Sequence, residues 1–399
     1  MPCVTSRILN RPIAVTALVI FLAYTGQFIA YPIIPLLTLE KGGGPIDVGL
    51  VLFTNLMLAG FLAVPMGSLS DKIGRKPVIM LGVFAGATGH LLIPFASNPI
   101  EILGAFAIAG IGRAAYGPAA GAMMGDLANK NNLATSFSWA SVGRQTGHFV
   151  GPALGGFVAS FYGLSSAFAF CGLFLLVSAG TALLALSSQK TTSSRGDEKG
   201  ITSTSTRGEI FAAVRNVAII AVLTGTFAST FGLQGYRSFI PLFVTDIGAD
   251  AFFVGILFSV QAVASVLARI PVARYSDKTG KRSRFVMIGL ILKGVSLGFA
   301  IMVPNLAIIL LWGFMLGFGT AVAGGSNMAI IGERTKKESR GAILGIHSTT
   351  IYLSQGLGSI VTGFMIASFG FEVGFEFLGI VLALSTVTFY LLSRRAKIK

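Results

Sequence analysis

Apolar runs of roughly 20 residues recur from one end of this sequence to the other. Each is long enough to cross a bilayer core of about 30 Å at about 1.5 Å per helical residue. Of 399 residues, 53% are hydrophobic and only 11% charged, and the mean hydropathy is +0.80. Soluble domains carry about 25% charged residues, so a water-facing surface cannot be built from this supply. The chain reads as an all-α membrane protein. Twelve spans are expected, near residues 12–37, 46–69, 77–96, 99–125, 137–161 and 166–187, then 215–243, 251–273, 284–303, 305–331, 342–367 and 373–392. Little is left for a soluble catalytic domain, and no nucleophile, metal or cofactor constellation is present, so no enzyme, metal or cofactor is expected.

The formal net charge of +15 would point to nucleic acid in a soluble protein. Here the basic residues sit in short loops between apolar spans, so the lipid bilayer is the expected partner and nucleic acid is not. Counting alternate loops, the termini and the central segment, 24 of the 30 Lys and Arg fall on one side, and the opposite loops hold only Lys41. Both termini are therefore expected in the cytoplasm, which requires an even number of spans. Cys3 and Cys171 are the only cysteines and form no disulfide framework.

Residues 188–214 begin with SQKTTSSRGDEKGITSTSTRGE, polar and without apolar periodicity, and read as a cytoplasmic linker between two halves, 1–187 and 215–399. The halves repeat each other. A shift of 206 carries Gly26 onto Gly232, Pro35 onto Pro241, Gly49 onto Gly255, Pro65 onto Pro271, and Ser70-Asp71-Lys72 onto Ser276-Asp277-Lys278. A shift of 207 carries Gly110, Gly112, Gly117 and Gly125 onto Gly317, Gly319, Gly324 and Gly332, and Gly151, Gly156 and Gly163 onto Gly358, Gly363 and Gly370. Two copies that both start in the cytoplasm run parallel, related by an axis along the membrane normal.

The loop after the second span reads Gly67-Ser-Leu-Ser-Asp71-Lys72-Ile-Gly74-Arg75-Lys76, and its counterpart reads Ala273-Arg-Tyr-Ser-Asp277-Lys278-Thr-Gly280-Lys281-Arg282. The first resembles the GxLxDxxGRKx loop motif of the major facilitator superfamily, and the second is a degenerate copy. Gly74 allows a tight turn between helix ends. Arg75 needs an acidic partner, for which Asp126 at the end of span four is the candidate; Glu333 would serve Lys281 in the second half. The resemblance implies that Asp71, Arg75 and Asp126, with Asp277, Lys281 and Glu333, latch the two bundles on the cytoplasmic side. The bland alternative is that these charges only set topology.

Span four carries Arg113-Ala-Ala-Tyr116-Gly117-Pro118, similar to the superfamily's RxxxG pattern. An arginine about 14 residues into a span lies near mid-bilayer, where a charge is costly unless it faces water or a partner. The resemblance implies proton transfer or substrate binding at Arg113; its repeat mate is Thr320, so the fold itself does not require the charge. Span five reads Gly147-His148-Phe-Val-Gly151-Pro152-Ala-Leu-Gly155-Gly156 and matches the GxxxGPxxGG signature of the superfamily's antiporter branches. In the longer form of that signature a glycine precedes by nine positions, where Ser138 stands here. Small residues every four positions let another helix approach closely, and the expectation is a sliding interface between bundles. A dimer seam is the structural alternative.

Arg144, three residues before this run, and His148 within it are candidates for coupling with Arg113. Arg269 and Lys293 are expected to snorkel towards the membrane surface. No Asp or Glu lies deep in any expected span, and a cavity with basic but no acidic groups suits anionic or neutral solutes. Candidate cavity groups are Gln27, Tyr31, Tyr116, Gln234, Tyr236, Asn327, Tyr352 and Gln355. The resemblance implies two six-helix bundles around a central cavity. It also implies secondary transport of a small-molecule substrate with protons across a prokaryotic cell membrane, foremost as a multidrug-type exporter by alternating access. An organic-anion permease of the same superfamily is the rival, and a non-transporting sensor the alternative of another class.

Overall fold

In the computed structural model the described residues are 11–127, 133–185, 215–335, 339–396 and 398. The expected linker 188–214 lies outside the described residues, as does Cys3. Everything regular among the described residues is helical. The first half contains α1 (Arg11–Ala30), α2 (Ile34–Glu40), α3 (Pro45–Ile73), α4 (Arg75–Leu92), α5 (Pro99–Leu127), α6 (Leu133–Tyr162) and α7 (Leu164–Ala185). The second contains α8 (Val217–Asp246), α9 (Ala251–Thr279), α10 (Arg282–Gly298), α11 (Leu306–Arg334) and α12 (Arg340–Arg395).

Among the described residues nine helices are long and apolar enough to cross a membrane, α1 with α2 counting as one. Neither α6 nor α10 is among them: α6 carries Arg144, His148 and a run of small polar residues, and α10 has 17 residues. The 56-residue α12 covers two expected spans, and its backbone leaves helical geometry at Gly370, with φ 84° and ψ 174°.

Local chemistry explains the breaks. Proline has no N–H and cannot continue a hydrogen-bonded turn; Pro32 and Pro35 interrupt the first expected span between α1 and α2. The repeat mate of Pro32 is Ser238, and α8 runs on past Pro241 as one helix. All the glycines described with positive φ fall in repeat pairs: Gly42 with Gly248, Gly74 with Gly280, and Gly163 with Gly370. At Gly74 (φ 98°) and Gly280 (φ 65°) the left-handed backbone that L side chains avoid lets the chain reverse within one or two residues.

The described residues fall into two compact units, one drawn from Met1–Thr192 with Val244–Ser259, the other from Ser193–Phe243 with Val260–Lys399. Residues 244–259, read from the sequence as part of the second half, thus cluster with the first unit. In the first unit α1 packs on α6 and α7, and α5 on α3 and α4; in the second, α10 packs on α11 and α12. Glycines permit the closest approaches. A Cβ at Gly82 would lie 2.5 Å from Tyr116 N, and one at Gly289 would lie 2.7 Å from Ala323 N, the same contact in each half.

Candidate functional site

The turn between α3 and α4 points Arg75 at the end of α5. Its Nε donates to Asp126 Oδ2 at 2.8 Å, one terminal nitrogen donates to Ser70 Oγ at 2.8 Å, and the same nitrogen pairs with Asp71. Arg75 is mostly covered, whereas Asp71 is exposed. The second half builds the same cluster with a different residue. Arg282, not Lys281, donates to Asp277 at 2.8 Å and to Glu333 at 2.6 Å. Lys281 instead occupies the turn before α10 and is exposed. In the first half Gly74 alone separates the helices, whereas Gly280 and Lys281 do so in the second. That extra residue moves the cation from four to five positions after the aspartate. Arg282 holds its proton more tightly than a free guanidinium does, first through the hydrogen bond to Asp277. Every bond in each cluster closes within one unit.

A second cluster gathers where α1, α5 and α6 meet. Tyr116 OH donates to Gln27 Oε1, and both residues are buried. The His148 ring lies 3.7 Å from Phe28 and 5.8 Å from Tyr24, centroid to centroid. Tyr24 meets Tyr116 edge-on at 5.8 Å, and Arg144 Cζ lies 6.0 Å from the Tyr24 ring centre. Tyr31 stacks on Phe28 at 5.6 Å. A Cβ at Gly117 would lie 3.9 Å from Tyr24 OH, and residues four apart share a helix face. Half-buried Arg113, one turn before Gly117, is thereby placed on the face of α5 turned to Tyr24. The structure thus gathers Gln27, Tyr31, Tyr116, Arg144 and His148, with Arg113 one turn away. Tyr24 is the aromatic hub that the sequence reading passed over.

The glycine run of α6 faces α1 of its own unit, not a separate bundle as expected for Gly147, Gly151 and Gly155. A Cβ at Gly147 would lie 2.8 Å from Thr25 N, one at Gly151 2.7 Å from Phe28 Cβ, and one at Gly155 would collide with Ile29 O. The reason is the four-residue spacing, which strips one stripe of the helix of side chains and lets two backbones touch. Gly156 lies off that stripe. A Cβ there would lie 2.5 Å from Ala251 O, and Pro152 O sits against Gly255. Ser259 Oγ donates to Phe149 O at 2.9 Å, so the start of α9 is held on the opposite side of α6.

In the second unit the candidate groups lie on α8, α11 and α12. Gln234 donates to Ser238 Oγ at 3.3 Å, which in turn bonds Ser359 Oγ at 3.1 Å. Tyr236 is 2% exposed and packs edge-on against Phe375 at 6.0 Å. Asn327 is buried on α11, and Tyr352 and Gln355 are half-buried on α12. Ser359 Oγ also donates to Gln355 O at 3.3 Å, so Gln234 and Gln355 are linked through Ser238 and Ser359. Lys293 does not snorkel as expected: it is 3% exposed, with Nζ donating to Ser229 Oγ at 2.5 Å. Cys171 is free and buried.

A family model described as the Major Facilitator Superfamily matches residues 16–244 and 222–399. The multidrug resistance protein MdtH of Yersinia enterocolitica is 21% identical over 345 residues, covering 86% of this chain and 84% of its own length. MdtH of Yersinia pestis shows the same identity and coverage. A bacterial homolog of the human lysosomal transporter Spinster, solved inward-facing and unoccupied, superimposes with a TM-score of 0.80 at 18% identity, covering 97% of this chain and 98% of its own. The nucleoside transporter NupG gives 0.78 at 16% identity over 98% and 100%. At such identities these two structures speak for the fold.

Proposed function

The chain belongs to the Major Facilitator Superfamily, whose members are multi-pass membrane transporters of small molecules and not enzymes, and from that premise we propose that it is a proton-coupled exporter. The exported molecule is a small organic compound, and the membrane is the inner membrane of a prokaryotic cell. The chain crosses it twelve times with both termini in the cytoplasm, α12 contributing two spans that meet at Gly370.

The observation that carries this reading is the seat of α6 on α1. The antiporter-type run Gly147–Gly156 brings α6 against α1 closely enough to hold His148 and Arg144 beside Tyr24 and Phe28. Arg113 lies one turn before Gly117, on the face of α5 turned to Tyr24. A titratable imidazole and two guanidiniums around buried Tyr116 and Gln27 form a site able to exchange a proton against a solute. The printed name of MdtH, a multidrug resistance protein, agrees with export.

Asp71, Arg75 and Asp126, with Asp277, Arg282 and Glu333, brace the turns that must stay rigid while the units rock during alternating access. The sequence placed Lys281 in this set, and Arg282 takes over its role.

The test uses purified protein in liposomes with a pH-sensitive dye inside and an imposed proton gradient. Lipophilic cations or neutral drugs should evoke proton movement, and Arg113→Ala should lower it by about tenfold or more without loss of insertion. Anion flux with no proton movement would overturn coupling and establish the second reading, an organic-anion permease. The basic residues in its spans favour that reading.

A further inference from the structure

The surface of the second unit carries a groove of about 540 Å³ where α10 lies beside the last stretch of α12. Two glycines make its floor. Gly298 and Gly379 meet with no side chain between them, and a Cβ at Gly379 would lie 2.8 Å from Gly298 Cα. Bulkier side chains, among them Ile291, Val295, Met302 and Ile380, stand exposed along its walls. Among the described residues Glu376 alone brings a charge to the lining, and it is exposed. No described residue is its hydrogen-bond or ion-pair partner.

The fold does not need this opening. Under the repeat, Gly298 corresponds to Leu91, Gly379 to Gly172 and Glu376 to Ala169. In the first unit the side chain of Leu91 lies over Gly172, where an added Cβ would collide with it. One glycine therefore suffices to seat the two helices, and the second removes the side chain that closes the gap. A carboxylate within a span is costly without a partner, yet the second half has one where the first has alanine. The lining follows α12 from Glu376 to Val387, about 16 Å at about 1.5 Å per residue. That is close to one leaflet, half of a hydrocarbon core of about 30 Å. Glu376 lies six residues after the turn at Gly370, so the charged end of the groove is near a membrane surface and the apolar end reaches inwards. No Lys or Arg occurs in residues 298–305 or 364–376, the stretches at that end. An anionic headgroup finds no counter-charge there, and a cationic one does.

We propose that this groove binds phosphatidylethanolamine of the outer leaflet, one acyl chain lying over Gly298 and Gly379 and the ammonium bonded to Glu376. A primary ammonium offers three N–H donors to a carboxylate, whereas the quaternary nitrogen of a choline headgroup offers none. Lipid tails are as apolar as the groove walls, so the headgroup decides which lipid stays. The site is independent of proton coupling and of the transported solute; it rests on the twelve-span topology only for the choice of leaflet.

The experiment is native mass spectrometry of the full chain in detergent, titrated with phosphatidylethanolamine and with phosphatidylcholine of the same acyl chains. Phosphatidylethanolamine should bind about tenfold tighter. Glu376→Gln should remove that preference and leave phosphatidylcholine binding as it is. Gly298→Leu, which restores the residue of the first half, should weaken both lipids by about tenfold. A Cβ there meets Gly379 Cα at 3.6 Å, an ordinary contact, so the helices need not part. Should Gly298→Leu fail to yield monodisperse protein, Ala383→Leu fills the same groove after the pattern of Leu176 and carries the test. The site is overturned if the native chain holds the two lipids equally, if Glu376→Gln keeps the preference, or if the filled groove binds both as before. A native dimer that Gly298→Leu splits, with lipid binding unchanged, would overturn it too and assign the groove to a second copy of the chain. Because no gradient is used, these outcomes are independent of whether proton movement is found in liposomes.

Discussion

The two halves solve the same packing problem with different side chains. Where Gly147 of α6 meets Tyr24 of α1, the corresponding residues of the second half are Ser354 and Thr230, whose hydroxyls bond each other. Where Gly155 makes room for Ile29, the second half reverses the roles: Gly235 on α8 makes room for Thr362 on α12. One copy buries aromatic rings beside a bare helix stripe, and the other joins its helices by hydroxyl contacts. The ion clusters show the same freedom, with Arg75 four residues after Asp71 and Arg282 five after Asp277. A fold repeated in this way constrains where two backbones must touch, and leaves open which helix carries the glycine. Chemistry is then free to differ. The first unit gathers Arg144 and His148 around Tyr24, with Arg113 on the facing side of α5, and the second buries Lys293 where the first has Gly86.

The largest expected effect comes from forcing one solution onto the other. Gly155→Thr should destabilise the protein by about 1–3 kcal/mol through overpacking against Ile29, read as loss of thermal stability in detergent. Adding Ile29→Gly, which reproduces the Gly235 and Thr362 pairing, should recover part of it; no recovery would mean that the halves are not interchangeable at this contact. Next comes function. Arg113→Ala should lower transport in liposomes by about tenfold or more, about 1.4 kcal/mol in the rate-limiting barrier, while Thr320→Ala at the matched position should change it little. Equal losses would erase the proposed division of labour.

Smaller effects test the ion clusters. Arg282→Ala, which removes both pairs, should cost about 1 kcal/mol, and Lys281→Ala should stay within about 0.5 kcal/mol. The opposite ranking in chemical denaturation or melting would restore the sequence-based pairing. The smallest is the coupling between Arg75 and Asp126, expected at about 0.5 kcal/mol in a double-mutant cycle and weaker at high salt because Asp126 is partly exposed. Salt-independent coupling would show a cluster more sheltered than its exposure implies.

Much of the first cluster was legible in the sequence because its parts are local: Asp71, Gly74 and Arg75 sit in one motif, and Asp126 is the acidic residue at the end of the next span but one. Arg282 could have been found from the repeat itself. The register changes from 206 to 207 between Lys278 and Gly317, and the structure locates the added residue at Lys281. Lys293 offered no such signal. In a helix apolar on nearly every side, periodicity does not separate the face turned to lipid from the face turned to protein, so snorkelling and burial look alike. The bond from Arg237 Nε to Gln261 Oε1, 2.9 Å, spans two helices and has no motif.

Length and polarity of the apolar runs, proline placement and the paired turn glycines are properties of short stretches, and from them the sequence alone determined a helical membrane protein built on an internal repeat. The azimuth of each helix is set by contacts with neighbours far away in the chain. Only the tertiary structure could therefore decide that the glycine stripe of α6 lies on α1, that Arg282 fills the place expected of Lys281, and that Lys293 points inward.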